Sequence, residues 1–97
     1  MKTYKEVIED FANGVKEVTR ASNVTNKGGE KLFSYDTCIA QKVNENTYIL
    51  NKSKYTVTTK KHQNLVAELL NSETIIEVTN VPDDTTDLTQ FCKNDER

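Results

Sequence analysis

Apolar residues recur along the chain with two periods, and each change of period marks a boundary between elements. Tyr4, Val7, Ile8 and Phe11 stand at i, i+3, i+4 and i+7, which is one stripe of an amphipathic helix. Thr3-Tyr4-Lys5-Glu6 before it fits a capping box, in which hydroxyl and carboxylate satisfy amides left free at a helix start. Asn13-Gly14 predicts its end, because glycine accepts the left-handed conformation that closes helices. From Lys16 the period shortens toward two. Glu17 to Val24 predicts a strand, Thr25-Asn26-Lys27-Gly28-Gly29 a hairpin turn, and Lys31 to Tyr35 a second strand with Phe33 and Tyr35 on one face. Cys38 to Val43, with Ile39 and Val43 sharing a face, and Thr47 to Leu50 predict two more strands around an Asn44-Glu45-Asn46 turn.

Helical spacing returns at His62, Leu65, Val66, Leu69 and Leu70, and Thr58 or Thr59 is the expected cap. Asn71-Ser72 ends that helix. Thr74 to Val78 predicts a last strand, stopped by Asn80-Val81-Pro82. The order helix, strands, helix, strand predicts an α+β fold: an antiparallel meander of four to five short strands with two helices packed on one face. Residues 1–82 are expected to form one domain. Residues 83–97 are expected to form a weakly docked acidic tail, in which Leu88, Phe91 and Cys92 supply one helical turn.

Composition narrows the function classes. With 97 residues there is room for one small core and little room for a deep cleft. No run of about 18 apolar residues offers a membrane span, and the first residues lack the apolar stretch of a signal peptide. The expected location is therefore the cytoplasm of the cell that makes it, where Cys38 and Cys92 stay reduced. The net charge is −2, unevenly spread: residues 1–71 hold eleven Lys/Arg and eight Asp/Glu, residues 72–97 two and seven. No acid lies between Glu45 and Glu68, where Lys52, Lys54, Lys60 and Lys61 fall.

Candidate chemistry is sparse. His62 on an apolar helical stripe reads as a core-edge residue, and no protease signature surrounds either cysteine. One histidine, two distant cysteines and scattered acids do not give the clustered ligands of a metal site. Asp83, Asp84 and Asp87 lack the alternating ligands, internal glycine and closing glutamate of a calcium loop. Gly28-Gly29 belongs to a turn followed by a strand, not to the helix start of a phosphate-binding loop. No catalytic residue and no cofactor is expected. The segment from Asn51 to His62 remains, with lysines interleaved among Tyr55 and hydroxyls ahead of a helix start, a pattern suited to phosphates or carboxylates.

Leu-Phe-Ser-Tyr-Asp-Thr-Cys-Ile-Ala from Leu32, Tyr-Ile-Leu-Asn from Tyr48, and Lys-Tyr-Thr-Val-Thr-Thr-Lys-Lys-His-Gln-Asn from Lys54 are similar to small proteins of bacteriophages and mobile elements. In those a Ser-Tyr-x-Thr-x-Ile-Ala strand leads to an Asn and a Tyr-Ser/Thr-x-Thr-Thr-x-Lys-His helix start. The likeness covers about a third of the chain and implies a mobile-element origin without an activity, so no functional residue passes to this sequence. Cys38 stands where an apolar residue or proline is expected, which speaks against a catalytic cysteine.

Two expectations follow. In the first, a non-enzymatic protein, monomeric or a small homo-oligomer, binds and blocks a host protein such as a nucleic-acid-binding defence effector, in the manner of an anti-CRISPR inhibitor. Its contacts are Glu9, Asp10, Asp83, Asp84 and Asp87, acids suited to a basic channel. In the second, Lys52, Lys54, Tyr55, Lys60 and Lys61 form a nucleic-acid-binding edge.

Overall fold

The computed structural model describes residues 3–21, 23–70, 74–82 and 84–89. Helix α1 spans Tyr4–Ala12 with the expected capping box: Glu6 N donates to Thr3 Oγ1 and Thr3 N donates to Glu6 Oε1. It buries Val7, Ile8 and Phe11 completely. Each apolar side chain so removed from water contributes about 1.5–3 kcal/mol.

The strands are β1 (Thr19–Ala21), β2 (Val24–Lys27), β3 (Lys31–Ser34), β4 (Thr37–Asn44), β5 (Thr47–Asn51) and β6 (Thr74–Val78), with α2 (Val57–Leu69) between the last two. They form one six-stranded sheet in chain order. The expected four to five antiparallel strands are corrected twice. The stretch read as one strand from Glu17 to Val24 is two, because Ala21 pairs directly with Val24 and the chain reverses between them. Thr25, Asn26 and Lys27, read as turn, are ladder residues of β2. The sheet is also mixed: β6 pairs β5 in parallel, with Ile49 beside Ile76. A parallel neighbour needs a crossover, and α2 supplies it as a β-α-β unit.

Register decides which side chains meet. Leu32 pairs with Ala40 and Ala40 with Leu50 on one face, whereas Phe33 pairs with Cys38 on the other. A bulge opposite Leu32/Phe33 takes up Ile39, and a second at Lys42/Asn44 takes up Val43. An extra residue in one strand breaks the alternation. Ile39 is therefore buried while Val43 is 45% exposed, and the expected shared face is lost.

Both helices lie on the first face. Val7, Ile8, Phe11, Val66 and Leu70 close over Val24, Leu32, Ala40, Tyr48 and Leu50, and the Phe11 and Tyr48 rings meet edge to face at 5.7 Å. The second face carries Phe33, Cys38 and Ile49, covered by Val81 and Leu88. Leu88 N donates to Gln41 Oε1 at 2.7 Å, and Cys38 N donates to the Thr85 carbonyl at 3.2 Å. The expected positions Phe91 and Cys92 lie outside the described residues.

One close approach anchors the β2–β3 turn. Gly29 has φ +77°, and a Cβ there would stand 2.9 Å from the backbone of Gly14. Asn26, fully buried, accepts from Gly29 N and donates to the carbonyls of Val15 and Glu17. The loop after α1 is thereby tied to the hairpin. No helix among the described residues is long and apolar enough to cross a membrane.

Candidate functional site

The lysine-rich link between β5 and α2 is held by buried polar groups. Asn51 closes β5, and its Oδ1 accepts from Ser53 N at 3.0 Å. Its Nδ2 donates to the Cys38 carbonyl and to Tyr55 Oη, each at 3.0 Å. Tyr55 Oη donates in turn to the Val81 carbonyl. Ser53 Oγ accepts from Val81 N at 2.8 Å. From α2, Gln63 Nε2 donates to the carbonyls of Asn51 and Ser53. Asn51, Ser53 and Gln63 are all buried. In such surroundings each satisfied polar group rigidifies what it touches, because leaving it unpaired is costly.

Pinning Ser53 inward sets its neighbours Lys52 and Lys54 outward, both exposed. They border a groove of about 400 Å³ together with Tyr55, Thr56, Val57 and Lys60. Thr56 caps α2, its Oγ1 accepting from Thr59 N at 3.2 Å. The cap is two to three residues earlier than Thr58 or Thr59, since Thr56 is the residue that keeps extended backbone, with ψ 166°. The positive end of the α2 dipole therefore adds to three lysine charges at the groove. Lys61 takes another course, its Nζ 5.2 Å above the Tyr4 ring of α1. Four of the five expected basic-edge residues, Lys52, Lys54, Tyr55 and Lys60, thus meet at one groove.

The earlier cap moves His62 from the first turn of α2 to the second. There Nδ1 lies 2.8 Å from Ser34 Oγ of β3, which is 3.3 Å from Thr59 Oγ1. The ring stands 5.2 Å from Tyr4. Burial first, and Lys61 second, hold its pKa below the ordinary 6.5. His62, Val66 and Leu70 are buried as expected and Leu65 is half-buried, whereas Leu69, expected inward, is 37% exposed, and Thr59 and Gln63 join the inner side. Cys38 belongs to the cluster on the other face of the sheet. Its Sγ donates to the Ala40 carbonyl, and burial pushes the thiol up to about 12.

The expected acidic contacts occupy two places. Glu9 and Asp10, both half-buried, belong to α1 on the helical face. Asp84 and Asp87 belong to the segment that covers the opposite face, and Asp83 lies outside the described residues. Hydrogen bonds from Thr89 and from Gln41 hold the Asp87 carboxyl below its ordinary value. Among the described residues no cluster of three or more His, Cys, Asp or Glu is placed to hold a metal ion.

A second basic surface escaped the reading by period. On the sheet face that carries Phe33, the strands β1 to β3 bring Arg20, Thr25, Lys27 and Lys31 around that ring. Lys27 Nζ is 5.0 Å from the ring centroid. These cations are spread over twelve residues, and only the β1–β2 and β2–β3 registers join them. The supporting roles of Asn51, Ser53 and Gln63 leave no mark in the sequence either, because a polar residue at a strand end, in a loop or on a helix gives no sign of burial.

Comparison with the curated proteins and with the solved structures gave no match. A family model described as a family of unknown function (DUF8033) matches residues 7–82. That stretch runs from the first buried turn of α1 through β6 to Pro82, and so includes the groove and the whole sheet. The chain belongs to the DUF8033 family, whose function is unknown.

Proposed function

We propose that the protein is a non-enzymatic binding module that holds the phosphate backbone of a nucleic acid in the groove at the start of α2. The observation that carries this reading is the pinned loop: buried Ser53, held by Gln63 and Val81, fixes Lys52 and Lys54 beside Lys60. A solvated lysine loop needs no such anchoring. A loop whose backbone is held in advance at a helix N-terminus loses little further loop freedom when an anion arrives. Glu9 and Asp10 stand on a different face from Asp84 and Asp87, which makes one shared acidic contact surface the weaker geometry for a blocking function.

The net charge of −2 opposes phosphate at long range, so binding is expected to be modest and confined to the groove. The test is fluorescence anisotropy with a labelled DNA oligonucleotide across a salt series. The combined variant Lys52→Gln/Lys54→Gln/Lys60→Gln is expected to weaken binding and to flatten the log–log salt slope by about 0.7–0.9 per lysine in contact with phosphate. A charge-matched control, Lys5→Gln/Lys16→Gln/Lys42→Gln, is expected to change both far less. Equal effects of the two triples, or no binding at low salt, would refute the proposal.

A further inference from the structure

We infer that the nucleic acid is single-stranded, and that its bases lie against Tyr35 while its backbone crosses the second basic surface of Arg20, Lys27 and Lys31. The inference rests on the nucleic-acid reading of the groove and names the form of the ligand.

Tyr35 and Asp36 form the two-residue link between β3 and β4, whose ends Ser34 and Thr37 pair directly. Tyr35 has φ +58°. A bulky residue in the left-handed region is a genuine outlier, where glycine or asparagine would be unstrained. The position is costly, and the side chain gains little by burial in return, being 51% exposed. An exposed aromatic kept at a strained turn is a candidate for contact with a ligand.

Its surroundings fit a strand with unpaired bases. Tyr35 borders a depression of about 380 Å³ together with Arg20, Lys27, Lys31 and Phe33. Single strands are held by cations along the backbone and by aromatic faces on which bases stack. Asp36 and Asp84 stand on the same rim. They repel phosphate, but they can accept hydrogen bonds from the exocyclic amino groups of bases, of which a single strand presents both N–H bonds and a duplex only one. Ser34, next to Tyr35, reaches through its buried hydroxyl to within 3.3 Å of Thr59 in the first turn of α2. Tyr35 and the groove therefore stand at the same end of the sheet.

The test compares a labelled single-stranded DNA with the duplex of the same sequence by anisotropy at low salt. The wild type is expected to bind the single strand more tightly. Tyr35→Ala is expected to lose at least about five-fold for the single strand and to leave duplex binding unchanged. Tyr35→Trp, which keeps a stacking face, is expected to retain single-strand binding, and this separates stacking from any effect on the hairpin. Arg20→Gln/Lys31→Gln is expected to lower the single-strand salt slope. Tyr35→Ala binding both forms as the wild type does would overturn the inference while leaving the groove standing. Single-strand binding that depends on Tyr35 but not on the three groove lysines would overturn the groove and keep this surface. Absence of binding to either form would overturn both.

Discussion

The pinned loop makes a claim that can be tested without any ligand. Gln63→Met keeps nearly the same length and volume but removes the amide that donates to the carbonyls of Asn51 and Ser53. Gln63 is 6% exposed and Asn51 1%, so water cannot readily take its place. Leaving a buried acceptor unsatisfied costs about 1–3 kcal/mol. Two carbonyls are affected, and each retains a second lone pair, so about 2 kcal/mol is expected. At about 4–8 °C per kcal/mol for a domain of this size, Tm should fall by about 8–16 °C. Scanning calorimetry measures that fall, and hydrogen exchange should show faster exchange at the amides of Ser53 and Val81, which both hang on the network. A variant that melts within about 3 °C of the wild type, with unchanged exchange at Ser53, would refute the reasoning. The loop would then owe its shape to chain connectivity, and the argument for a prearranged groove would fall with it.

Three more expectations follow from other parts of the fold. Because the folded pKa of His62 lies below its unfolded value of 6.5, its contribution to stability is fully present above that value and is lost as pH falls toward the folded pKa. Denaturation between pH 7 and pH 5 should therefore show a shallower loss of stability for His62→Gln than for the wild type, and equal slopes would contradict the assignment. The Cys38 thiol, buried and raised to about 12, should resist a thiol reagent in the native state and react at once in urea, with tryptic mapping to separate it from Cys92. Leu88→Ala should cost about 2–5 kcal/mol by chemical denaturation, since the fully buried side chain covers the Phe33–Ile49 face. A cost below about 0.5 kcal/mol, that of an ordinary surface substitution, would mean that the segment after Pro82 does not close the second face.

Much of the local structure is legible because it depends on near neighbours alone. The capping box at Thr3 and Glu6, the stripe of Val7, Ile8 and Phe11, the glycine turn before Lys31 and the helical spacing around Val66 each lie within a window of about eight residues, and each appears in the structure. The lysine cluster was legible for the same reason, since Lys52, Lys54 and Lys60 are close in the chain. The cap of α2 falls two to three residues before the expected Thr58 or Thr59, because Thr56, Thr58 and Thr59 are chemically alike and only the backbone at Thr56 singles it out.

What tertiary structure alone decided is everything that depends on register. The parallel pairing of β5 with β6 follows from how α2 carries the chain back, and a strand's own residues do not state its direction. The two bulges that expose Val43 and bury Ile39 arise from strand partners, so the period-two pattern fails there. Polar residues conceal their role for a related reason: Asn51, Ser53 and Gln63 read as surface until the fold places carbonyls and amides within reach of them. Hydrophobicity is a property of one residue and survives as a pattern in the chain. Hydrogen-bond satisfaction and charge clustering are properties of pairs, and exist only once the sheet has set the partners side by side.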